Sequence, residues 1–152
     1  MPKVVGPVPS DKWEREVRRE LIKQLPDDWI VICSVSWALK SELGFVRDGE
    51  ADFVVLAPEL GLAIIEVKGS ANVRIDSDGN WYRRQSDRSG LGKEILIKES
   101  PPAQANRNMH TLVKVIKDEL LPSNTRVFPG LFAFLVVYPN GIIEGKLDLY
   151  DS

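Results

Sequence analysis

The chain has 152 residues, 20 Lys+Arg against 22 Asp+Glu, one His and one Cys, with 43% hydrophobic and 28% charged residues. That length suits one domain, and the balance of apolar and charged residues excludes a disordered or fibrous chain. The lone Cys33 excludes an internal disulfide framework or a cysteine zinc cluster, the lone His110 excludes sites built on several imidazoles, and no apolar run approaches the ~18 residues of a membrane span.

In chain order, Pro2, Pro7 and Pro9 make residues 1–10 an extended lead-in without the apolar core of a signal peptide, so a cytoplasmic soluble domain is expected. Ser10 or Asp11 can cap a helix whose apolar positions Trp13, Val17, Leu21, Ile22 and Leu25 recur at helical spacing until Pro26-Asp27-Asp28 stops it. Trp29–Trp37, rich in β-branched and aromatic residues, reads as a strand. Ala51–Ala57 and Leu62–Val67 flank Pro58-Glu59-Leu60-Gly61 as a hairpin, and Val73–Asp76 and Trp81–Arg83 flank Ser77-Asp78-Gly79-Asn80 as a second. Glu94–Lys98 is a short strand. Ser100 caps a helix with Pro101 at its first position and Ala105, Met109, Leu112, Val113, Ile116 and Leu120 on one face. Leu131–Tyr138 is apolar on both faces and is expected as a buried strand inside the sheet, followed by a short strand or tail. The expectation is one α/β domain over 1–152, a central mixed sheet flanked by helices.

The hairpin at 51–67 carries the chemistry. Residues two apart in a strand share a face, which groups Glu50 with Asp52 and Glu66 with Lys68. If the loop is Pro58-Glu59-Leu60, opposed residues have numbers summing to 118, so Asp52 faces Glu66 and Glu50 faces Lys68. Two facing carboxylates in an otherwise apolar hairpin repel each other and are costly to bury without a cation. Oxygen donors alone suit Mg²⁺ or Mn²⁺, and a lysine beside the ion can orient a water and stabilise charge on a phosphate. The competing reading is a salt-bridge cluster on a solvated sheet face, against which stands the apolar run Phe53–Leu56.

GEADFVVLAPELGLAIIEVKG at 49–69 resembles the core of the nuclease-related domain (NERD) family, within the restriction-endonuclease-like superfamily named for its PD-(D/E)xK motif. WEREVRRELIKQLPDDW, DSDGNWYRR, the later SDRSG, IKESPPAQANRN and LFAFLVVYP extend the resemblance over roughly residues 13–139. It implies a restriction-endonuclease-like core of αβββαβ order, with Asp52 as the motif aspartate, Glu66 as second acidic ligand and Lys68 as motif lysine. The Val67 carbonyl is then a further metal ligand. Glu14, on the helical row of Val17, Leu21 and Leu25, completes the site, or is simply a first-turn acid favoured by the helix dipole. Gln104, with Asn108 one turn on, supports the water or the backbone, or is a polar residue beside the apolar stripe. The motif proline is absent, since Ala51 precedes Asp52. The implied activity is Mg²⁺- or Mn²⁺-dependent hydrolysis of DNA leaving a 5′-phosphate, in DNA processing, repair or defence. The alternative is an inactive nucleic-acid-binding or assembly module of the same fold. Family members are often joined to helicase or kinase-like domains, which implies a helicase or other domain in the same polypeptide; self-association is left open and no membrane is expected.

Charge is uneven. Residues 70–117 hold 9 basic and 5 acidic side chains, against 9 and 12 before them and 2 and 5 after. Arg74, Arg83, Arg84, Arg88 and Lys93 in that basic stretch are the expected phosphate contacts, the other reading being a solvated mixed-charge face. Trp81 and Tyr82 can stack bases or pack across strands, Cys33, Trp13, Trp29 and Trp37 read as core, and His110 reads as a surface or interfacial helix residue.

Overall fold

The structure, a computed structural model, describes residues 1–40, 46–69, 72–85 and 92–144. Its elements run β1 (Lys3–Val5), α1 (Lys12–Gln24), β2 (Ile30–Lys40), β3 (Val46–Ala57), β4 (Gly61–Val67), β5 (Asn72–Ile75), β6 (Trp81–Gln85), β7 (Lys93–Ile97), α2 (Pro101–Leu120), β8 (Leu131–Val137) and β9 (Ile142–Glu144). The series α1, β2, β3, β4, α2, β8 follows the expected αβββαβ order and is consistent with a restriction-endonuclease-like core. Asp11 caps α1 by accepting from the backbone N–H of Trp13 and Glu14, and Ser100 caps α2 by accepting from Ala103.

The central sheet has the order β1-β2-β3-β4-β8. β2, β3 and β4 form an antiparallel meander, while β1 joins β2 and β8 joins β4 in parallel. Part of the expected lead-in is thus a strand, because Val4 and Val5 lie between prolines that already hold the backbone extended. α1 covers one face, with Val17 packed among Val31, Cys33, Phe53, Val55 and Ile65. α2 covers the other, with Met109, Leu112 and Val113 against Trp37, Val54, Leu62 and Ile64. The hairpin turn depends on Gly61, whose φ of +145° suits no side chain and whose Cβ would stand 1.8 Å from the Leu131 carbonyl oxygen.

Three expectations are corrected. β8 is not interior: it is an edge strand among the described residues, with Leu131 74% and Leu135 53% exposed. The turn after it, where the Gly141 N–H bonds the Tyr138 carbonyl, sends the chain away, so β9 pairs β5 instead of β8. There is also a second sheet, of order β7-β6-β5-β9, around Val73, Ile75 and Trp81. The sides of β4 are taken by β3 and β8, so the β5–β7 meander cannot extend the central sheet beside it. Leu120, expected on the buried stripe of α2, is exposed at the helix end.

Candidate active site

The β3·β4 ladder runs from Ala57↔Gly61 to Phe53↔Ile65, every pair summing to the expected 118. Beyond Phe53 and Ile65 the two strands part, and the ladder gives way to side chains. The Asp52 carboxylate (Oδ2) accepts the Val67 backbone N–H at 2.7 Å. On the opposite side of β3 the register with β2 skips Ser34 and Asp52, passing from Cys33↔Phe53 to Val35↔Ala51. Ser34 is left-handed there, with φ 56°. This break shifts the phase of β3: Ala51 packs in the same cluster as Val54, which regular alternation forbids for residues three apart. The simple rule that puts Glu50 and Asp52 on one face therefore does not carry through Asp52.

Glu66 is only 5% exposed. Burial, then the charge of Asp52, pushes its carboxyl up to about 7, against the opposing effects of Lys68 and of a hydrogen bond from Asn108. Asp52 is also raised, first by burial, although the Val67 N–H, the Lys68 charge and a hydrogen bond with Glu66 act the other way. Glu50 is exposed, and its charge adds to the upward pressure on both. The Lys68 ammonium makes no ion pair with Glu50 among the described residues; it donates to the Gln104 side-chain oxygen at 3.0 Å. α2 thus meets the end of β4 through Gln104, and Asn108 one turn later donates to the Glu50 carbonyl at 3.0 Å and to Glu66 (Oε1) at 3.4 Å.

Glu14 enters from the first turn of α1. Trp13 beside it packs against Gly69, where a Cβ would stand 2.8 Å from the indole, so the start of α1 is held at the end of β4. The Glu14 carboxyl is raised by burial first, then by the charges of Asp52, Asp11 and Glu50. Among the described residues no three His, Cys, Asp or Glu side chains gather into a metal-holding group, so Glu14 stands beside the Asp52–Glu66 pair and not in one cluster with it. The pair fits a hard divalent cation: its donors are all oxygen, and the charge of Lys68 does not offset the burial and like-charge repulsion that keep both carboxyls raised.

The basic stretch is less unified than its composition implies. β5, β6 and β7 are paired so that Arg74 faces Tyr82 and Arg84 faces Glu94. Arg74 forms a double hydrogen bond with Glu94 at 2.8 and 2.9 Å and lies over the Tyr82 ring, so its guanidinium already has partners. Arg74, Tyr82, Arg84 and Glu94 line a hollow of about 140 Å³ with Asn72 and Val73. Arg83, one residue on, points to the opposite face, that of Val73 and Trp81, and Lys93 ends the β6·β7 ladder opposite Gln85. Arg88 lies outside the described residues. Trp81 is buried and offers no stacking platform. Cys33 and Trp37 are buried, Trp13 and Trp29 are part-buried, and the exposed His110 meets Phe132 edge to face at 5.7 Å.

Asn108 and Ser34 are the residues near the site whose roles sequence reasoning missed. For Asn108 a signal existed: it sits on the apolar row of Ala105, Met109 and Leu112, where a polar residue must find a partner. For Ser34 there was none, since serine in a strand gives no warning of a left-handed backbone.

The family model described as the nuclease-related domain matches residues 9–139. No curated protein and no solved structure matches the chain.

Proposed function

The chain belongs to the nuclease-related domain (NERD) family, and from that premise we propose that it is a Mg²⁺- or Mn²⁺-dependent deoxyribonuclease of the PD-(D/E)xK type. The observation that carries the reading is the buried Glu66 beside the half-buried Asp52 at the point where β3 and β4 part, with Lys68 tied to Gln104 next to them.

Asp52, Glu66 and the Val67 carbonyl would hold the cation, with Glu14 as a further carboxylate at the edge. When bound, the ion supplies a lowered pKa for coordinated water and neutralises charge on the phosphate. The Glu66 carboxyl, pushed up to about 7, is partly protonated near neutral pH in the metal-free chain, and binding a cation there would release that proton. Asp52 is oriented by the Val67 N–H, so its second oxygen points away from the backbone bond. Gln104 accepts one of the three ammonium hydrogens of Lys68, which leaves two to donate to a phosphate oxygen or an attacking water. Arg84 would contact the phosphate backbone of DNA from one face of the second sheet, where Arg74 would have to exchange Glu94 for a phosphate, while Arg83 and Lys93 would serve a backbone passing the other face. Roles in DNA processing, repair or defence, and action beside a helicase domain, accord with this chemistry.

One observation favours a second reading, an inactive nucleic-acid-binding or assembly module: no three acidic side chains gather as a metal-holding group among the described residues. Labelled single- and double-stranded DNA incubated with Mg²⁺, Mn²⁺ or a chelator separates the two. The nuclease reading expects cleavage that needs the cation and is lost in Lys68→Ala; DNA binding without cleavage in either metal would establish the module.

A further inference from the structure

Asn108 is 3% exposed, near the middle of α2, and its side-chain nitrogen meets two acceptors on two different strands. One is the Glu50 carbonyl on β3, past the last residue that β4 pairs. The other is the Glu66 carboxylate on β4. Both partners are acceptors, so chemistry alone fixes which end of the amide faces them. Where the β3·β4 ladder stops, β3 has lost a donor strand, and Asn108 supplies a donor in its place. A primary amide is the smallest neutral group with two N–H bonds to give, one for each side of the fork. Aspartate would bring no donor and another negative charge beside Asp52 and Glu66.

We propose that Asn108 is a positioning residue: it spans the fork between β3 and β4 and holds the Glu66 carboxylate at its place relative to Asp52. The proposal rests on the nuclease reading above, because the pair it would position is the cation-holding pair of that reading. Asn108 touches neither substrate nor reacting atoms. It acts through Glu66, in the way outer partners orient ligands in metal sites. Gln104, one turn earlier on the same helix, does the corresponding work for Lys68.

The test uses Mn²⁺ alone, added to the DNA-free chain, with free Mn²⁺ followed by electron paramagnetic resonance. Cleavage kinetics are measured in parallel on wild type, Asn108→Ala and Asn108→Leu. The leucine variant keeps a packed side chain on the α2 stripe and removes both donors, so a purely packing role would survive it. Both variants should bind Mn²⁺ roughly 10- to 100-fold more weakly, with a lowered kcat and an unchanged KM for DNA. Wild-type Mn²⁺ affinity and kcat in the folded leucine variant would overturn the positioning role and leave the nuclease reading standing. A wild-type chain that neither binds Mn²⁺ nor cleaves would overturn both. Should both variants lose their circular dichroism signature, the wild type decides: Mg²⁺ titration should shift the Asn108 side-chain amide resonances in nuclear magnetic resonance spectra. Resonances that do not move would overturn the role.

Discussion

Glu66→Gln tests the electrostatic state of the site without requiring any activity. In the folded, metal-free chain the Glu66 carboxyl is pushed from an ordinary 4.5 to about 7, mainly by burial and then by Asp52. At ~1.4 kcal/mol per pH unit, ionising it in place costs about 3 kcal/mol. Between pH 4.5 and 7 the folded state holds a proton that the unfolded chain has released, so stability falls as pH rises through that window and levels off above it. Asp52 and Glu14, also raised, slope the same way. Asp76, Glu94 and Glu99, held low by their hydrogen-bond partners, slope the other way but at lower pH. Glutamine keeps an oxygen to accept from Asn108 and gains an N–H for Asp52, and it has nothing to ionise. In chelator, urea denaturation should find Glu66→Gln more stable than wild type by up to about 3 kcal/mol at pH 8, with the gap shrinking towards pH 5. Mn²⁺ at about 1,000 times its Kd at pH 8 should reverse the order, since at that level it adds about 4.1 kcal/mol to the wild type only. A gap that is the same at pH 5 and pH 8 would refute the reasoning.

Lys68→Arg should fold and bind DNA but cut at a small fraction of the wild-type rate, because a planar guanidinium cannot take the point charge that Gln104 now holds; cleavage time courses check this, and near-normal cutting removes Lys68 from the mechanism. Arg84→Ala should weaken DNA binding whatever the sequence and reduce the slope of log affinity against log salt by about 0.9, read by fluorescence anisotropy across a salt series; an unchanged slope would mean that this face of the second sheet meets no phosphate. Ser34, left-handed at φ 56° opposite Asp52, should tolerate Gly with equal or higher stability and lose about 1–2 kcal/mol as Val, measured by thermal or urea unfolding. Equal stability of the glycine and valine variants would show that the backbone there carries no strain.

Much of the core is legible from local pattern. The turn residues between β3 and β4 set a loop length, and the loop length sets the register that runs up to Phe53↔Ile65, the last pair before Asp52 and Glu66. The caps at Asp11 and Ser100 and the apolar rows of α1 and α2 place both helices. What escapes is decided at a distance. Leu131–Val137 looks interior by composition, yet whether a strand has one neighbour or two depends on where the chain goes next, and here it turns to β5. The second sheet follows from β4 having both sides occupied, which no segment reports about itself. At the site, alternation predicts faces only while the backbone stays regular, and Ser34 interrupts it at Asp52. Likewise Arg83 and Arg84 are adjacent in a basic run, but strand geometry separates them to opposite faces.

The central claim is that Asp52 and Glu66 form a cation-dependent cutting site. Supercoiled plasmid incubated with Mn²⁺ and either wild type or Asp52→Ala, purified side by side, tests it most directly. The account predicts nicking by the wild type that a chelator stops, and none by Asp52→Ala, which should keep its fold because one of two mutually repelling carboxyls has been removed. Nicking by Asp52→Ala at the wild-type rate would contradict it.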